Sequence, residues 1–183
     1  MDIIKEVNNS TRRIVITPDD CPIDPRDDDN LGITAFFHKR YTIGDTIHLK
    51  EDPYEFREWV TTSDEVFMYL PVYMYDHSGV TIRTYPFSCP WDSGLLGYIY
   101  ATKERVIAEY GSLDDDVREK VKKVLIAEIE ALDRYISGEC YCASVEENDE
   151  IIDSFCGATT IDEVKEFLHD YLDESWDSLI DEL

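Results

Sequence analysis

His77 follows Asp76 in a turn, Cys89 precedes a proline, Asp92-Ser93-Gly94 lies in the loop beyond it, and His38 ends a β-like run. An imidazole and a thiol meeting across that loop would form a nucleophilic pair, so His77, Cys89 and Asp92 are the candidates for hydrolytic or metal-dependent chemistry. The spacing does not enforce the meeting. A plainer reading takes Asp76-His77-Ser78-Gly79 as a turn and packs Cys89, Pro90 and Trp91 as a loop over a sheet. Cys140 and Cys142 suggest a second chemistry, since C-x-C on a strand points both thiols one way and makes half a zinc site. The remaining cysteines, Cys21, Cys89 and Cys156, complete no metal-ligand spacing, and reduced thiols are expected throughout. Phosphate-cradling glycine loops, H-E-x-x-H, EF-hand loops and nucleophile elbows do not occur in the sequence, so neither a cofactor nor a bound metal is expected and the leading reading is not an enzyme.

Most of these residues fall within 66–100, where apolar and aromatic residues concentrate and only two acids, Asp76 and Asp92, occur. A segment of that composition must be buried, which makes it the sheet core. Residues 66–75 and 80–84 read as a hairpin joined by the four-residue turn, and 95–100 as a third strand. Earlier strands are expected at 13–17 and 33–37, and residues 52–61, with Pro53 at a first helical position behind Asp52, read as either a short helix or a covering loop. Helices follow at 102–110 and from Ser112, a candidate N-cap, to Gly138, with Val117, Val121, Val124, Leu125, Ile129, Leu132 and Ile136 on one face. Two further β-like runs, 139–145 and 151–155, precede a final helix over 160–183, opened by the capping box Thr160/Glu163. The order predicts an α+β fold, an antiparallel sheet with helices on one face, in a single domain whose core spans 1–157 and whose acidic helix spans 158–183.

Forty-one acids against 17 bases give a formal net charge of −24. That sign opposes counterion release from nucleic acid, so direct DNA or RNA binding is not expected. From residue 141 onward there are 14 acids and one base. On the final helix an apolar stripe, which would also serve a homodimer, faces away from nine acids between Asp162 and Glu182. As one continuous helix the element would be ~35 Å long. Its carboxylates would then imitate one phosphate track, though not the density of a duplex with one charge per ~1.7 Å. An ordinary solvated face, solubility in a salty cytoplasm and a metal-loading surface are the other readings of the same charge. The candidates for partner binding are Asp27, Asp28 and Asp29 in the early loop and Asp162, Glu163, Glu166, Asp170, Asp173, Glu174 and Asp177 in the tail. The charged N-terminus lacks a signal-peptide core and no apolar run reaches membrane-spanning length, so a cytoplasmic protein with no membrane partner is expected.

Several blocks follow one another in an order that is more specific than any one of them. These are Pro25-Arg26 with Asp29-Asn30-Leu31-Gly32, His38 with Tyr41 and Gly44-Asp45, Leu70-Pro71-Val72-Tyr73 with Tyr75-Asp76-His77-Ser78-Gly79, Pro86-Phe87-Ser88-Cys89-Pro90-Trp91-Asp92-Ser93-Gly94, and Gly97-Tyr98-Ile99-Tyr100. Together they resemble a large family of phage and mobile-element proteins over roughly residues 14–157. The chain departs from that family at Asp28, where members usually carry tryptophan, and in its acidic tail after Gly157. It is also similar to type II-A anti-CRISPR proteins of gut bacterial origin. That resemblance implies an inhibitor in the host bacterial cytoplasm that binds Cas9 or its guide RNA complex and interferes with target DNA; it carries no residue roles. A DNA mimic acting on restriction enzymes, and a small hydrolase around His77, Cys89 and Asp92, are the alternatives.

Overall fold

The computed structural model describes residues 2–45 and 52–183. In chain order its elements are β1 (Lys5–Asn8), β2 (Arg12–Pro18), β3 (Ile33–Phe36), α1 (Pro53–Thr62), β4 (Val66–Asp76), β5 (Val80–Arg83), β6 (Ser93–Thr102), α2 (Lys103–Tyr110), α3 (Asp115–Ser137), β7 (Tyr141–Glu147), β8 (Glu150–Ala158), α4 (Ile161–Tyr171) and α5 (Asp177–Asp181), with 3-10 turns at Pro25–Asp27 and Glu174–Trp176. The architecture is α+β and both sheets are antiparallel. Instead of one sheet there are two of four strands, ordered β1-β2-β7-β8 and β3-β6-β4-β5. They belong to two compact units, Met1–Ile23 with Gly138–Leu183, and Asp24–Ser137, and the expected boundary at residue 157 falls inside the first. Among the described residues no helix is long and apolar enough to cross a membrane.

In the unit Asp24–Ser137, β6 is central and its residues alternate between two cores. Leu96, Ile99 and Ala101 join Val121, Leu125, Ile129 and Leu132 of α3, while Tyr98 and Tyr100 join Phe56 and Val60 of α1. Helices therefore cover both faces of this sheet, which corrects the one-face expectation and explains why β6 reads as a continuous apolar run. Gly97 lets β3 approach, because a Cβ there would stand 2.0 Å from the Ala35 carbonyl oxygen. The N-cap of α3 is Asp114 rather than Ser112: Asp114 Oδ1 accepts the Val117 amide at 2.9 Å, and the Ser112 hydroxyl supports Asp114 at 2.8 Å. The β4–β5 connection is one residue shorter than expected, His77-Ser78-Gly79, because pairing extends to Asp76 opposite Val80.

In the other unit β2 pairs with β7, opposing Ile14 to Val145 and Ile16 to Ala143. That face is covered by Val164 and Leu168 of α4 and by Trp176, Leu179, Ile180 and Leu183. Asn148 and Asp149, both at positive φ, form the two-residue turn between β7 and β8. The expected continuous helix over 160–183 is broken. Leu172 and Asp173 are extended, and the Asp173 carboxylate accepts the Ser175 amide at 2.9 Å to start a new turn. This local bond competes with the helix, and the break lets the apolar residues on both sides reach the same sheet. The expectation of reduced thiols is also corrected. Cys142 does not share a site with the buried Cys140 but lies opposite Cys156, and the two form a disulfide with S–S 2.00 Å.

Candidate functional site

Pairing of β4 with β6 sets Tyr75 opposite Ser93, and the Asp76 amide donates to the Asp92 carbonyl at 2.8 Å. The two acids of the apolar stretch thus lie side by side where the strands end, at a cleft of about 320 Å³ lined by His38, Arg40, Asp76, Trp91, Asp92 and Ser93, among others. Asp76 is held by Arg40, which forms a hydrogen-bonded ion pair with it, and by the Tyr41 hydroxyl at 3.4 Å. His38 stacks on Tyr41, and its Nδ1 accepts the amides of Arg40 and Tyr41, both at 3.3 Å. An accepting Nδ1 places the proton of the neutral ring on Nε2. Segment 38–41 is therefore a built turn that presents Arg40 to Asp76.

On the other side of the cleft, His77 Nδ1 lies 3.5 Å from Asp92 Oδ2, and the Cys89 thiol contacts the same oxygen at 3.5 Å. The Asp92 carboxylate stands between imidazole and thiol. The nucleophilic pair of His77 with Cys89 is not assembled, because the thiol donates to a carboxylate and the Ser93 hydroxyl donates to the Cys89 carbonyl. Arg83 anchors the start of the loop, lying 4.1 Å from the Tyr85 ring centroid and 3.8 Å from that of Phe87, and donating to the Tyr85 and Pro86 carbonyls. Phe87 in turn stacks on Tyr75. Trp91 is 91% exposed, which overturns the expectation that it packs over the sheet.

The remaining motif residues make a second, structural centre in the same unit. Arg26, 6% exposed, binds Asp45 at 2.8 Å and Glu128 of α3 at 3.0 Å, and also donates to the Gly32 carbonyl. Glu128 in turn accepts the amides of Leu31 and Gly32. Burial pushes the Asp45 carboxyl up, but the Thr34 amide, the bond and charge of Arg26 and the Thr34 hydroxyl outweigh it and hold the group below the ordinary aspartate range. Gly44 sits at φ 73°, and a Cβ there would stand 2.4 Å from Thr34 Oγ1. This cluster locks the loop that carries Asp27, Asp28 and Asp29, whose side chains are exposed. Arg26, Arg40, Asp45, Arg83 and Glu128 are not among the residues singled out by spacing; Arg26 and Asp45 stand within the ordered motif blocks, whereas Glu128 is one acid among many on a polar helix face.

Of the seven candidate tail acids, three have intramolecular work among the described residues. Glu163 accepts the amide and hydroxyl of Thr159, Asp173 caps the 3-10 turn, and Asp177 pairs with His169 at 3.1 Å. Asp162, Glu166, Asp170 and Glu174 are exposed. The tail acids belong to the unit Met1–Ile23 with Gly138–Leu183, and the motif loop and Asp27–Asp29 to the unit Asp24–Ser137; within the latter Asp76, Trp91 and Asp92 line the cleft, and His77 and Cys89 contact Asp92. No family model, curated protein or solved structure matches the chain.

Proposed function

We propose that the chain is an acidic anti-defence inhibitor that binds the basic nucleic-acid channel of Cas9, or of its guide RNA complex, and interferes with target DNA. The observation that carries this reading is the net charge of −24, with seven of the candidate carboxylates, Asp27, Asp28, Asp29, Asp162, Glu166, Asp170 and Glu174, exposed to solvent. A Cas9 channel is lined by lysine and arginine to hold a heteroduplex and reads its PAM through arginines, so a carboxylate surface there competes with DNA and is steered into place. Trp91 supplies what charge alone lacks: a large exposed aromatic of the type that anchors interfaces.

The test is inhibition of Cas9 cleavage by two charge-reversed variants, one carrying D27K, D28K and D29K, the other D162K, E166K, D170K and E174K. The reading expects at least one to lose inhibition while circular dichroism stays unchanged. Full inhibition by both would remove the electrostatic mechanism. Protection of DNA from restriction enzymes in the absence of Cas9 would favour the broader DNA-mimic alternative.

A further inference from the structure

β2 ends at Pro18, opposite Tyr141, and Asp19 continues alongside β7 by donating its amide to the Cys140 carbonyl at 2.8 Å. This brings its carboxylate to the Cys142–Cys156 pair. One ligand atom from each of Asp19, Cys142 and Cys156 lies within 4.8 Å of the other two. Three segments of the unit Met1–Ile23 with Gly138–Leu183 converge here, the end of β2, β7 and the outer strand β8. Strand pairing holds these backbones on both sides of the bridge. Cys156 is exposed and Cys142 is half-buried, so reductant and ion both have access.

We propose that these three residues form a redox-gated site for a thiophilic divalent metal of the zinc type, with the disulfide as its closed, metal-free form. Two thiolates and one carboxylate are a soft, charge-rich donor set suited to a tetrahedral ion, with the fourth position left to water or an outside ligand. Opening requires two electrons and two protons: two molecules of a small cellular monothiol, acting through a mixed disulfide, reduce the bridge to two cysteine thiols and leave joined as one symmetric disulfide. The divalent ion then displaces one proton from each thiol, binding as a dithiolate. Asp19 adds a third negative charge and is itself oriented, since its Oδ1 accepts the Cys21 amide at 2.9 Å. This site is independent of the inhibitor reading and of the Trp91 cleft.

Cobalt(II) is the probe, titrated anaerobically into the full chain after reduction and removal of the reductant. The reduced protein should take up one equivalent and develop a near-ultraviolet thiolate-to-cobalt band with visible tetrahedral bands, which zinc then abolishes. The oxidised protein should show neither. Cys156→Ser should lose the charge-transfer intensity, Asp19→Asn should weaken binding by at least the ~10-fold that loss of an outer-shell partner costs, and Cys89→Ala should bind as the parent does. A reduced parent without the thiolate band, or a Cys156→Ser variant that keeps it, overturns the site. An Asp19→Asn variant with unchanged affinity overturns the role of the carboxylate and leaves a two-cysteine chelate in its place.

Discussion

Arg26 shows how a single side chain organises what lies around it. Its guanidinium meets two carboxylates and a carbonyl while almost fully buried, so Arg26→Ala would leave Asp45 and Glu128 without their cation. Removing one partner of a buried pair costs about 3 kcal/mol or more, and urea unfolding should show that loss. Asp45 adds a pH dependence. Its folded pKa lies below its unfolded value, so the unfolded chain binds more protons in the acid window between them. The stabilisation is full above the unfolded value of about 3.9 and disappears as the pH falls through the lower folded value. Asp45→Asn should therefore lower stability at neutral pH and flatten the acid limb of the stability curve; a parent-like acid limb in the variant would contradict the assignment. Trp91 should behave in the opposite manner. With 91% of its surface exposed, Trp91→Ala should change stability by no more than about 0.5 kcal/mol, yet weaken partner binding.

At the scale of elements, α3 is held at its start by the Asp114 cap, and Asp114→Ala should cost about 1 kcal/mol in thermal or chemical unfolding. The same replacement at Ser112 should cost less, because its hydroxyl only supports that carboxylate. Local signals were strong enough to make these elements legible. Alternation, proline and glycine punctuation and the spacing of Val117, Val121, Leu125, Ile129 and Leu132 identify β2, the β4–β5 hairpin, α2 and α3 close to their observed bounds, while α1 is left open between a helix and a covering loop. What could not be read locally is the pairing of β2 with β7, which are separated by most of the chain and bring the two ends into one sheet. The break at Leu172 and Asp173 was hidden for a related reason: the apolar stripe continues across it, while the bond from the Ser175 amide that ends the helix depends on one aspartate among many. In the cleft, the neighbours Asp76 and His77 were evident, but their positions relative to Asp92 and Cys89 follow from strand register rather than spacing.

For the whole molecule, the governing quantity is an excess of carboxylate that folding does not neutralise. Arg12, Arg13, Arg26, Arg40 and Lys103 are engaged in ion pairs within the chain, while the acids of the 27–29 loop and much of the tail face solvent. Self-repulsion of this kind weakens with screening, so added salt should raise thermal stability while it weakens association with a basic partner. Opposite responses of the two quantities would distinguish a charge-driven interface from a salt-sensitive fold. The most direct measurement is co-purification of the full chain with a Cas9–guide RNA complex, before and after that complex has bound target DNA. The expected result is a stable complex with DNA-free Cas9–guide that weakens as salt rises and is prevented by bound target DNA. No complex at low salt, or equal binding with the DNA channel filled, would contradict it.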